Sequence, residues 1–150
     1  MSTVLPNLIV HTDGASRSNP GHAACAFLVS LEGKDPFKAH KEYLGDKVTN
    51  NHAEYRGMAL ALAYLVDLIT TSPAGSFAEI AIYSDSKLVV EQINGAWKVR
   101  NAELRALCQE CQEHLRTLRD HGHKVFLQWI PREQNSRTDQ LCNQALDEAV

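Results

Sequence analysis

Apolar runs and segments of helical periodicity alternate along this chain. The first three apolar runs are joined by connections too short for a crossover helix, so they predict three antiparallel strands in a meander. These runs cover residues 8–13, 22–31 and 37–45. The first run lacks polar alternation, which is typical of a central strand covered on both faces. Polar side chains within the third run favour an edge position for that strand.

From His52 onward the period changes to that of a helix. Apolar side chains recur three to four residues apart, which predicts one buried helical face. The residues of this face are Tyr55, Met58, Leu62, Leu65, Val66 and Ile69. Thr49 or Asn50 is expected to cap the helix, and Glu54 is expected in its first turn, where the helix dipole favours a carboxylate. A loop is predicted over residues 72–77.

The next segments return to a strand and then to two helices. An apolar strand over residues 79–84 precedes a short helix, Lys87–Ile93, that is begun by Asp85-Ser86, and capping of this helix is the local explanation for Asp85. The long helix that starts near His52 lies between the first apolar strand and this one. A helix between two such strands makes a parallel crossover, so these two strands are expected to run parallel. A longer amphipathic helix follows and ends at Gly122.

The chain closes with one more strand and one more helix. The strand covers residues 124–130 and is stopped by Pro131, and Asp139 begins the last helix. The predicted order is therefore βββαβααβα. It indicates an α/β fold with a mixed five-stranded sheet flanked by helices, in a single domain over residues 1–150.

Composition narrows the class of protein. The chain has 150 residues, of which 44% are hydrophobic and 22% are charged, and it contains no apolar run of membrane-spanning length. Its first residues lack the features of a signal peptide, so we expect a cytoplasmic protein. The formal net charge of −3 argues against a protein that holds nucleic acid mainly by bulk electrostatics. It does not exclude a nucleic-acid enzyme, because several of the negative charges can be metal ligands.

Two of the four cysteines, Cys108 and Cys111, have the spacing of a metal-binding pair. No second pair accompanies them, and the helical pattern places both thiols on one buried face. We therefore expect neither a zinc site nor redox chemistry.

Acidic residues recur at strand ends and near helix starts. They are Asp13, Glu54, Asp85 and Asp139. Each has a local explanation as a turn or capping residue, but the predicted topology brings all of them to the same edge of the sheet. Carboxylates crowded in this way repel one another, and divalent cations relieve the repulsion. An all-oxygen ligand set favours magnesium or manganese and is typical of a two-metal phosphodiesterase site.

Four segments resemble the type 1 ribonuclease H family and follow its order along the chain. They are TDGASRSNPG (Thr12–Gly21), TNNHAEYRGMALAL (Thr49–Leu62), YSDSKLVVEQINGAWKV (Tyr83–Val99) and WIPREQNSRTDQL (Trp129–Leu141). The resemblance implies a ribonuclease H-like fold. It also implies an endonuclease that hydrolyses the RNA strand of RNA/DNA hybrids and leaves 3′-hydroxyl and 5′-phosphate ends.

The resemblance also implies roles for individual residues. Asp13 is similar to the carboxylate shared by two Mg²⁺ or Mn²⁺ ions when substrate is bound, with Glu54 and Asp85 completing the shell of one ion and Asp139 that of the other. The expected substrate contacts are loop and helix-start residues. They are Asn19, Asn50 and Asn51 in the minor groove, Thr49 on a DNA phosphate, and Lys87 and Asn135 beside the site.

Two departures separate this chain from the best-known bacterial members of that family. It lacks their basic helical protrusion, as Asn94–Asn101 passes directly into a mildly acidic helix, so a weaker hold on substrate is expected. It also lacks their longer glycine-rich loop with a histidine before the last aspartate. Arg132 is the nearest candidate for that position, as in short, archaeal-like members, and is expected to contact a phosphate or assist electrostatically.

Two alternatives stay open at this point. One is a module of the same fold that binds hybrids without cleaving them, and the other is a DNA strand-transfer or junction-resolving nuclease. The four carboxylates argue against the first, and the TNNHAE and DGASRSNPG segments argue against the second. We expect a monomer that needs no obligate protein partner and no membrane.

Overall fold

One mixed sheet of five strands organises the computed structural model, which describes residues 5–71, 77 and 79–149. The strands are β1 (Leu8–Arg17), β2 (Gly21–Leu31), β3 (Lys38–Val48), β4 (Glu79–Ser84) and β5 (Lys124–Trp129). Their order in the sheet is β3-β2-β1-β4-β5, which confirms both the central position of β1 and the edge position of β3. The β1–β2 and β2–β3 pairs are antiparallel, whereas the β1–β4 and β4–β5 pairs are parallel. The α/β class and the element order predicted from the sequence are confirmed.

Four α-helices and one short turn complete the described chain. They are α1 (Asn50–Thr71), α2 (Lys87–Ile93), α3 (Ala102–Asp120), a 3-10 turn (Arg132–Gln134) and α4 (Ser136–Ala149). No helix intervenes between α2 and α3, a segment that the structure describes throughout, so the absence of a helical protrusion is confirmed. Most of the loop predicted over residues 72–77 lies outside the described residues.

The end of β1 differs from the sequence prediction. We expected the strand to leave the sheet at Asp13, but its antiparallel pairing with β2 continues as far as Arg17, opposite His22. Small side chains let the two strands stay paired beyond the point where a turn was expected. The parallel pairing with β4 stops earlier, at Thr12 opposite Ser84. Asp13 therefore lies where β1 loses one neighbour and keeps the other.

Two helices begin earlier than their apolar periodicity indicated. Helix α1 starts at Asn50, and the backbone amide of His52 donates to Thr49 Oγ1 over 3.1 Å. Glu54 therefore lies in the second turn, and its expected place in the first turn was wrong. Helix α4 starts at Ser136, which places Asp139 within its first turn. In both cases polar residues open the helix before its apolar face begins.

The helices cover the two faces of the sheet unequally. The main core lies between the sheet and helices α1, α2 and α3, and its fully buried members include Val10, Met58, Leu62 and Leu118. Helix α4 packs on the opposite face against β1, β2 and β3. Within the described chain no helix has the length and apolarity needed to cross a membrane.

The cysteines belong to this interior. All four are free thiols and buried. Cys108 and Cys111 both belong to the main core, which confirms the predicted buried face of α3.

Candidate active site

The register of the two central parallel strands brings two carboxylates side by side. Thr12 of β1 lies opposite Ser84 of β4, so the next residue on each strand is an aspartate, Asp13 and Asp85. Because the two strands run parallel, Asp13 and Asp85 follow this pair in the same direction and lie next to each other. The first pair of predicted ligands thus arises from backbone pairing alone.

Glu54 joins this pair because α1 passes very close to β1. Its carboxylate Oε1 accepts a hydrogen bond from the backbone N–H of Gly14. A Cβ at Gly57 would lie 2.6 Å from the carbonyl oxygen of Asp13, and a Cβ at Gly14 would collide with the backbone of α1. Two glycines therefore permit the approach that delivers Glu54 to the edge of the sheet.

The three carboxylates form a close, largely buried group. One carboxylate oxygen from each of Asp13, Glu54 and Asp85 lies within 4.8 Å of the other two. Asp13 is 4% exposed and Glu54 is 7% exposed, whereas Asp85 is half-buried. Anions this close in a desolvated position require a proton or a cation between them.

Two of the three carboxyl groups have a raised pKa and so keep a proton more readily than an ordinary carboxyl group. Burial raises the pKa of Asp13 to about 7, and repulsion from Asp85 and Asp139 acts in the same direction. Burial and repulsion from Asp13 also raise the pKa of Glu54 well above its ordinary value. The donor set consists of hard carboxylate oxygens, which fit Mg²⁺ or Mn²⁺ better than softer ions. The residues present therefore suit the divalent metal that their sequence pattern implied.

Asp139 faces the same cavity from a different element. It lies half-buried in the first turn of α4, outside the close group of three carboxylates. The cavity has a volume of about 410 Å³ and is lined by residues from β1, α1, the β4–α2 connection, the β5–α4 connection and α4. Its acidic residues are Asp13, Glu54, Asp85 and Asp139. The structure thus brings all four predicted carboxylates to one cavity.

Asp85 is not needed to cap α2. Ser86 takes that role, since its hydroxyl accepts a hydrogen bond of 3.3 Å from the amide of Val89. The backbone carbonyl of Asp85 accepts from the indole of Trp129 over 3.2 Å. Its carboxylate Oδ2 accepts from the side-chain amide of Asn135 over 3.1 Å. The capping explanation for Asp85 is therefore wrong, and its carboxylate is oriented toward the cavity group.

Arg132 lines the cavity on its solvent side. It is the first residue of the 3-10 turn that follows Pro131, and it is exposed. The sequence singled out Arg132 as a candidate but indicated a polar segment without a helical turn here. The turn directs the chain from the end of β5 to the start of α4, and it places the cation of Arg132 in the lining of the cavity that holds the carboxylates.

The expected minor-groove residues lie at one margin of the site and contact one another. The amide of Asn50 donates to Asn19 Oδ1 over 2.9 Å, and the amide of Ser16 donates to Asn50 Oδ1 over 2.7 Å. Asn50 and Asn51 line the cavity, and both are exposed, as are Asn19 and Thr49. These contacts join the β1–β2 turn to the start of α1. Their proposed role in substrate binding stays a prediction.

The other two expected substrate contacts have contrasting positions. Lys87 is exposed at the start of α2, with Nζ 6.0 Å from the centroid of the Trp129 ring. Asn135 is only 1% exposed, and its side chain is engaged inside the protein. In this structure Asn135 has no surface to offer a duplex, so the role assigned to it from the sequence does not match its position. Loop asparagines are usually exposed, and nothing local distinguishes this one.

Comparisons with known proteins agree with this geometry. The sequence matches the Reverse transcriptase-like protein family over residues 11–145. It is 31% identical over 159 aligned positions to the Ribonuclease H of Chromobacterium violaceum, covering 92% of this chain and 93% of that protein. The crystal structure of LC11-RNase H1 in complex with RNA/DNA hybrid has a TM-score of 0.79 at 30% identity, covering 95% of this chain and 98% of that one. This chain belongs to the type 1 ribonuclease H family.

The ribonuclease H family was thus correctly inferred from four short segments. The chain is also 35% identical to the Bifunctional protein Rv2228c of Mycobacterium tuberculosis over 95% of its own length. It spans only 36% of the length of that relative. Family membership therefore describes the domain that the two share.

Some residues that shape the acidic site were missed by sequence reasoning. Gly57 lies in the middle of a long helix, where glycine lowers helix stability, and an isolated helical glycine is a known sign of close packing. That signal was available and would have indicated that α1 touches a neighbouring backbone. The hydrogen bonds of Asn135 had no comparable sign.

Proposed function

We propose that this chain is a metal-dependent endoribonuclease that hydrolyses the RNA strand of RNA/DNA hybrids. The close group of Asp13, Glu54 and Asp85, with Asp139 in the same cavity, is the observation that carries the proposal. The proposed products have 3′-hydroxyl and 5′-phosphate ends. The relative LC11-RNase H1, whose structure contains an RNA/DNA hybrid, supports this choice of substrate.

The carboxylates would hold two Mg²⁺ or Mn²⁺ ions once substrate is bound. Asp13 lies centrally and is proposed to serve both ions, Glu54 and Asp85 would complete one shell, and Asp139 would complete the other. Bound ions of this kind activate water and stabilise the charge that develops on the leaving oxygen. The protein's own contribution is to hold the carboxylates in place before substrate arrives and to keep Asp13 and Glu54 away from bulk water.

Recognition of the RNA strand is assigned to the margin formed by Asn19, Asn50 and Asn51. The side-chain oxygens of Asn19 and Asn50 accept backbone hydrogen bonds, while their NH₂ groups have no partner among the described residues. These exposed donors suit 2′-hydroxyls and base edges in a shallow minor groove. The 2′-hydroxyl is the group that distinguishes RNA from DNA. Thr49 and Lys87 are proposed to contact phosphates on either side.

Arg132 is proposed to contact a phosphate oxygen at the mouth of the cavity. Its guanidinium carries a permanent charge and two parallel donors, which match a phosphate better than an ammonium does. It cannot shuttle protons near neutral pH, so its contribution would be electrostatic. The cytoplasmic location and the monomeric state stay predictions.

A duplex panel tests the proposal directly. Labelled RNA/DNA, RNA/RNA and DNA/DNA duplexes are incubated with the protein in Mg²⁺, in Mn²⁺ and in EDTA. We expect cleavage of the RNA strand of the hybrid only, with metal present, and products that a ligase or polymerase recognises as 3′-hydroxyl ends. Binding of the hybrid without cleavage would establish a non-catalytic module instead. Cleavage of DNA junctions but not of hybrids would establish the strand-transfer or junction-resolving alternative.

The matched variants are Asp13→Asn and Asp67→Asn. The first removes one anion from the group, and the second removes an exposed aspartate of α1 outside the cavity. We expect Asp13→Asn to abolish cleavage while the thermal midpoint of the metal-free protein is unchanged or higher, since repulsion in the group falls. Asp67→Asn should cleave normally. Near-native cleavage by Asp13→Asn in saturating Mg²⁺ would reject the site assignment.

A further inference from the structure

Asn135 joins three of the elements that carry carboxylates. Its side-chain Nδ2 donates to the backbone carbonyl of Thr12 over 2.9 Å and to Asp85 Oδ2 over 3.1 Å. Its Oδ1 accepts from the hydroxyl of Thr138 over 3.1 Å. Its backbone carbonyl accepts from the amide of Asp139 over 3.1 Å. One buried side chain thus contacts the middle of β1, the residue that follows β4 and the start of α4.

Each of these contacts lies next to a predicted ligand. Thr12 immediately precedes Asp13, and Thr138 immediately precedes Asp139 in the chain. Both hydrogens of the amide nitrogen are used, so the donor capacity of Asn135 is fully committed. A residue with this set of contacts relates the positions of three carboxylates to one another.

The contact with Asp85 has a specific electrostatic consequence. Asp85 lies within a group of like charges, and repulsion from Asp13 and Glu54 favours rotation of its carboxylate toward solvent. A hydrogen bond from a neutral amide to a charged carboxylate opposes that rotation. It holds Oδ2, while Oδ1 has no hydrogen-bond partner among the described residues. One oxygen is anchored, and the other, with no hydrogen-bond partner in the described part of the chain, is available to a metal ion.

We propose that Asn135 is a positioning residue that orients Asp85 and fixes it relative to Asp13 and Asp139 for metal binding. This inference rests on the proposed function, because it concerns the same carboxylate site. Partners that orient metal ligands affect metal affinity strongly even though they do not touch the metal. The buried position of Asn135 favours this role over contact with the substrate.

The variant that isolates this role is Asn135→Ser. Serine is a favourable residue immediately before a helix, so the start of α4 should be preserved. Its hydroxyl is too short to bridge Thr12 and Asp85 together. The matched control is Asn94→Ala, which removes a side-chain amide just after α2 that donates to the Leu127 carbonyl over 3.1 Å, away from the cavity.

Metal affinity is the first readout, measured by calorimetric titration with Mn²⁺ in the absence of substrate. We expect Asn135→Ser to weaken binding by about ten- to a hundredfold and Asn94→Ala to leave it unchanged. In an Asp85→Ala background, adding Asn135→Ser should weaken binding further by less than about twofold, since the carboxylate that it orients is absent. An equal loss in both backgrounds, or unchanged affinity in the single variant, would overturn the proposal.

Steady-state kinetics on a hybrid supply the second readout. Asn135→Ser should lower kcat at fixed Mg²⁺, leave KM for the hybrid unchanged, and recover much of its rate as metal is raised. A merely structural loss would not respond to metal in this way. If Asn135→Ser does not fold, Asn135→Ala is measured in its place with the same expectations.

The two proposals fail separately. If the wild-type chain does not cleave hybrids but Asn135→Ser still weakens Mn²⁺ binding, the proposed function is rejected and the positioning role of Asn135 is supported. If the wild-type chain cleaves hybrids and Asn135→Ser binds metal normally, only the positioning role falls.

Discussion

Gly57 of α1 lies directly against the backbone carbonyl of Asp13 in β1. A Cβ at this position would be 2.6 Å from that oxygen and 3.3 Å from the side chain of Cys25. Glu54 lies one helical turn earlier on α1, so the same approach places its carboxylate beside Asp13. The packing of a helix backbone on a strand backbone therefore determines the geometry of the acidic group.

The substitution Gly57→Ala should reverse the usual effect of alanine in a helix. In an ordinary helix interior this change stabilises by about 1 kcal/mol. Here we expect a loss of roughly 2 kcal/mol, because α1 must move away from β1 to admit the methyl group. Cleavage should fall with it, as Glu54 moves with the helix. Urea denaturation and hybrid cleavage measure the two effects.

The exposed Ala63 of the same helix provides the control. Ala63→Gly should lose about 1 kcal/mol through helix propensity alone and keep full cleavage. A Gly57→Ala protein that is more stable than the wild type would show that the close approach does not constrain the site.

The stability of the metal-free protein should fall as pH rises. The pKa of folded Asp13 is about 7, against an ordinary value of 3.8, and that of Glu54 is also raised. Between those pH values the folded chain keeps a proton that the unfolded chain has lost, so the free energy of unfolding decreases with pH in this window. From the shift in the pKa of Asp13 the decrease should be on the order of 4 kcal/mol, and it should level off above the folded pKa.

Urea denaturation in EDTA from pH 4 to pH 9 measures this dependence. Asp13→Asn removes one of the two carboxyl groups whose pKa is raised, and it removes the repulsion that Asp13 exerts on Glu54. The free energy of unfolding of this variant should therefore change less with pH than that of the wild type. Adding Mg²⁺ at the alkaline end should restore stability, since the ion replaces the lost proton. Equal slopes for the two proteins would contradict the raised pKa of Asp13.

Arg132→Ala should lower turnover more than substrate affinity. If the guanidinium contacts a phosphate whose charge increases in the transition state, its loss should reduce kcat on the order of ten- to a thousandfold. Arg132→Lys should recover only part of the rate, because an ammonium lacks the planar pair of donors. Arg116→Ala, at an exposed position of α3, should leave the kinetics unchanged. A raised KM with unchanged kcat would make Arg132 a binding residue only.

Hybrid binding should depend only modestly on salt. The net charge is −3, and the described connection between α2 and α3 contains no basic helix. We expect a plot of log affinity against log salt to indicate fewer than roughly six phosphate contacts. Lys87→Ala should lower that slope by about one contact. Lys124→Ala, at the opposite end of the parallel strands, should not change it, and a steep wild-type slope would contradict the expectation.

Local periodicity was sufficient to predict the order of strands and helices. The period of apolar residues along a strand or a helix depends on which face is buried, and this information is contained in consecutive residues. Asp13 and Asp85 followed from the same reasoning, since a parallel crossover aligns the paired segments of β1 and β4 that precede them. The predicted topology also brought Glu54 and Asp139 to this edge of the sheet, and the family resemblance then implied which ion each carboxylate would bind.

The boundaries of elements depended on contacts that consecutive residues do not contain. β1 continues past Asp13 because β2 offers a paired backbone, and α1 begins at Asn50 because Asn19 Oδ1 accepts from the amide of Asn50 while Asn50 Oδ1 accepts from the amide of Ser16. These partners lie on other segments. A local pattern therefore predicts that a strand or helix exists more reliably than where it ends.

The role of Asn135 shows the strongest dependence on the folded chain. Its sequence neighbours are polar, and the segment indicated an exposed loop with a residue free to contact substrate. Folding instead brings it to Thr12, 123 positions earlier, and to Asp85, 50 positions earlier. An asparagine has the same hydrogen-bonding groups in solvent and in the interior, so its chemistry does not reveal its position. Only the assembled sheet and α4 place those groups around it and turn a polar loop residue into an internal support for the acidic site.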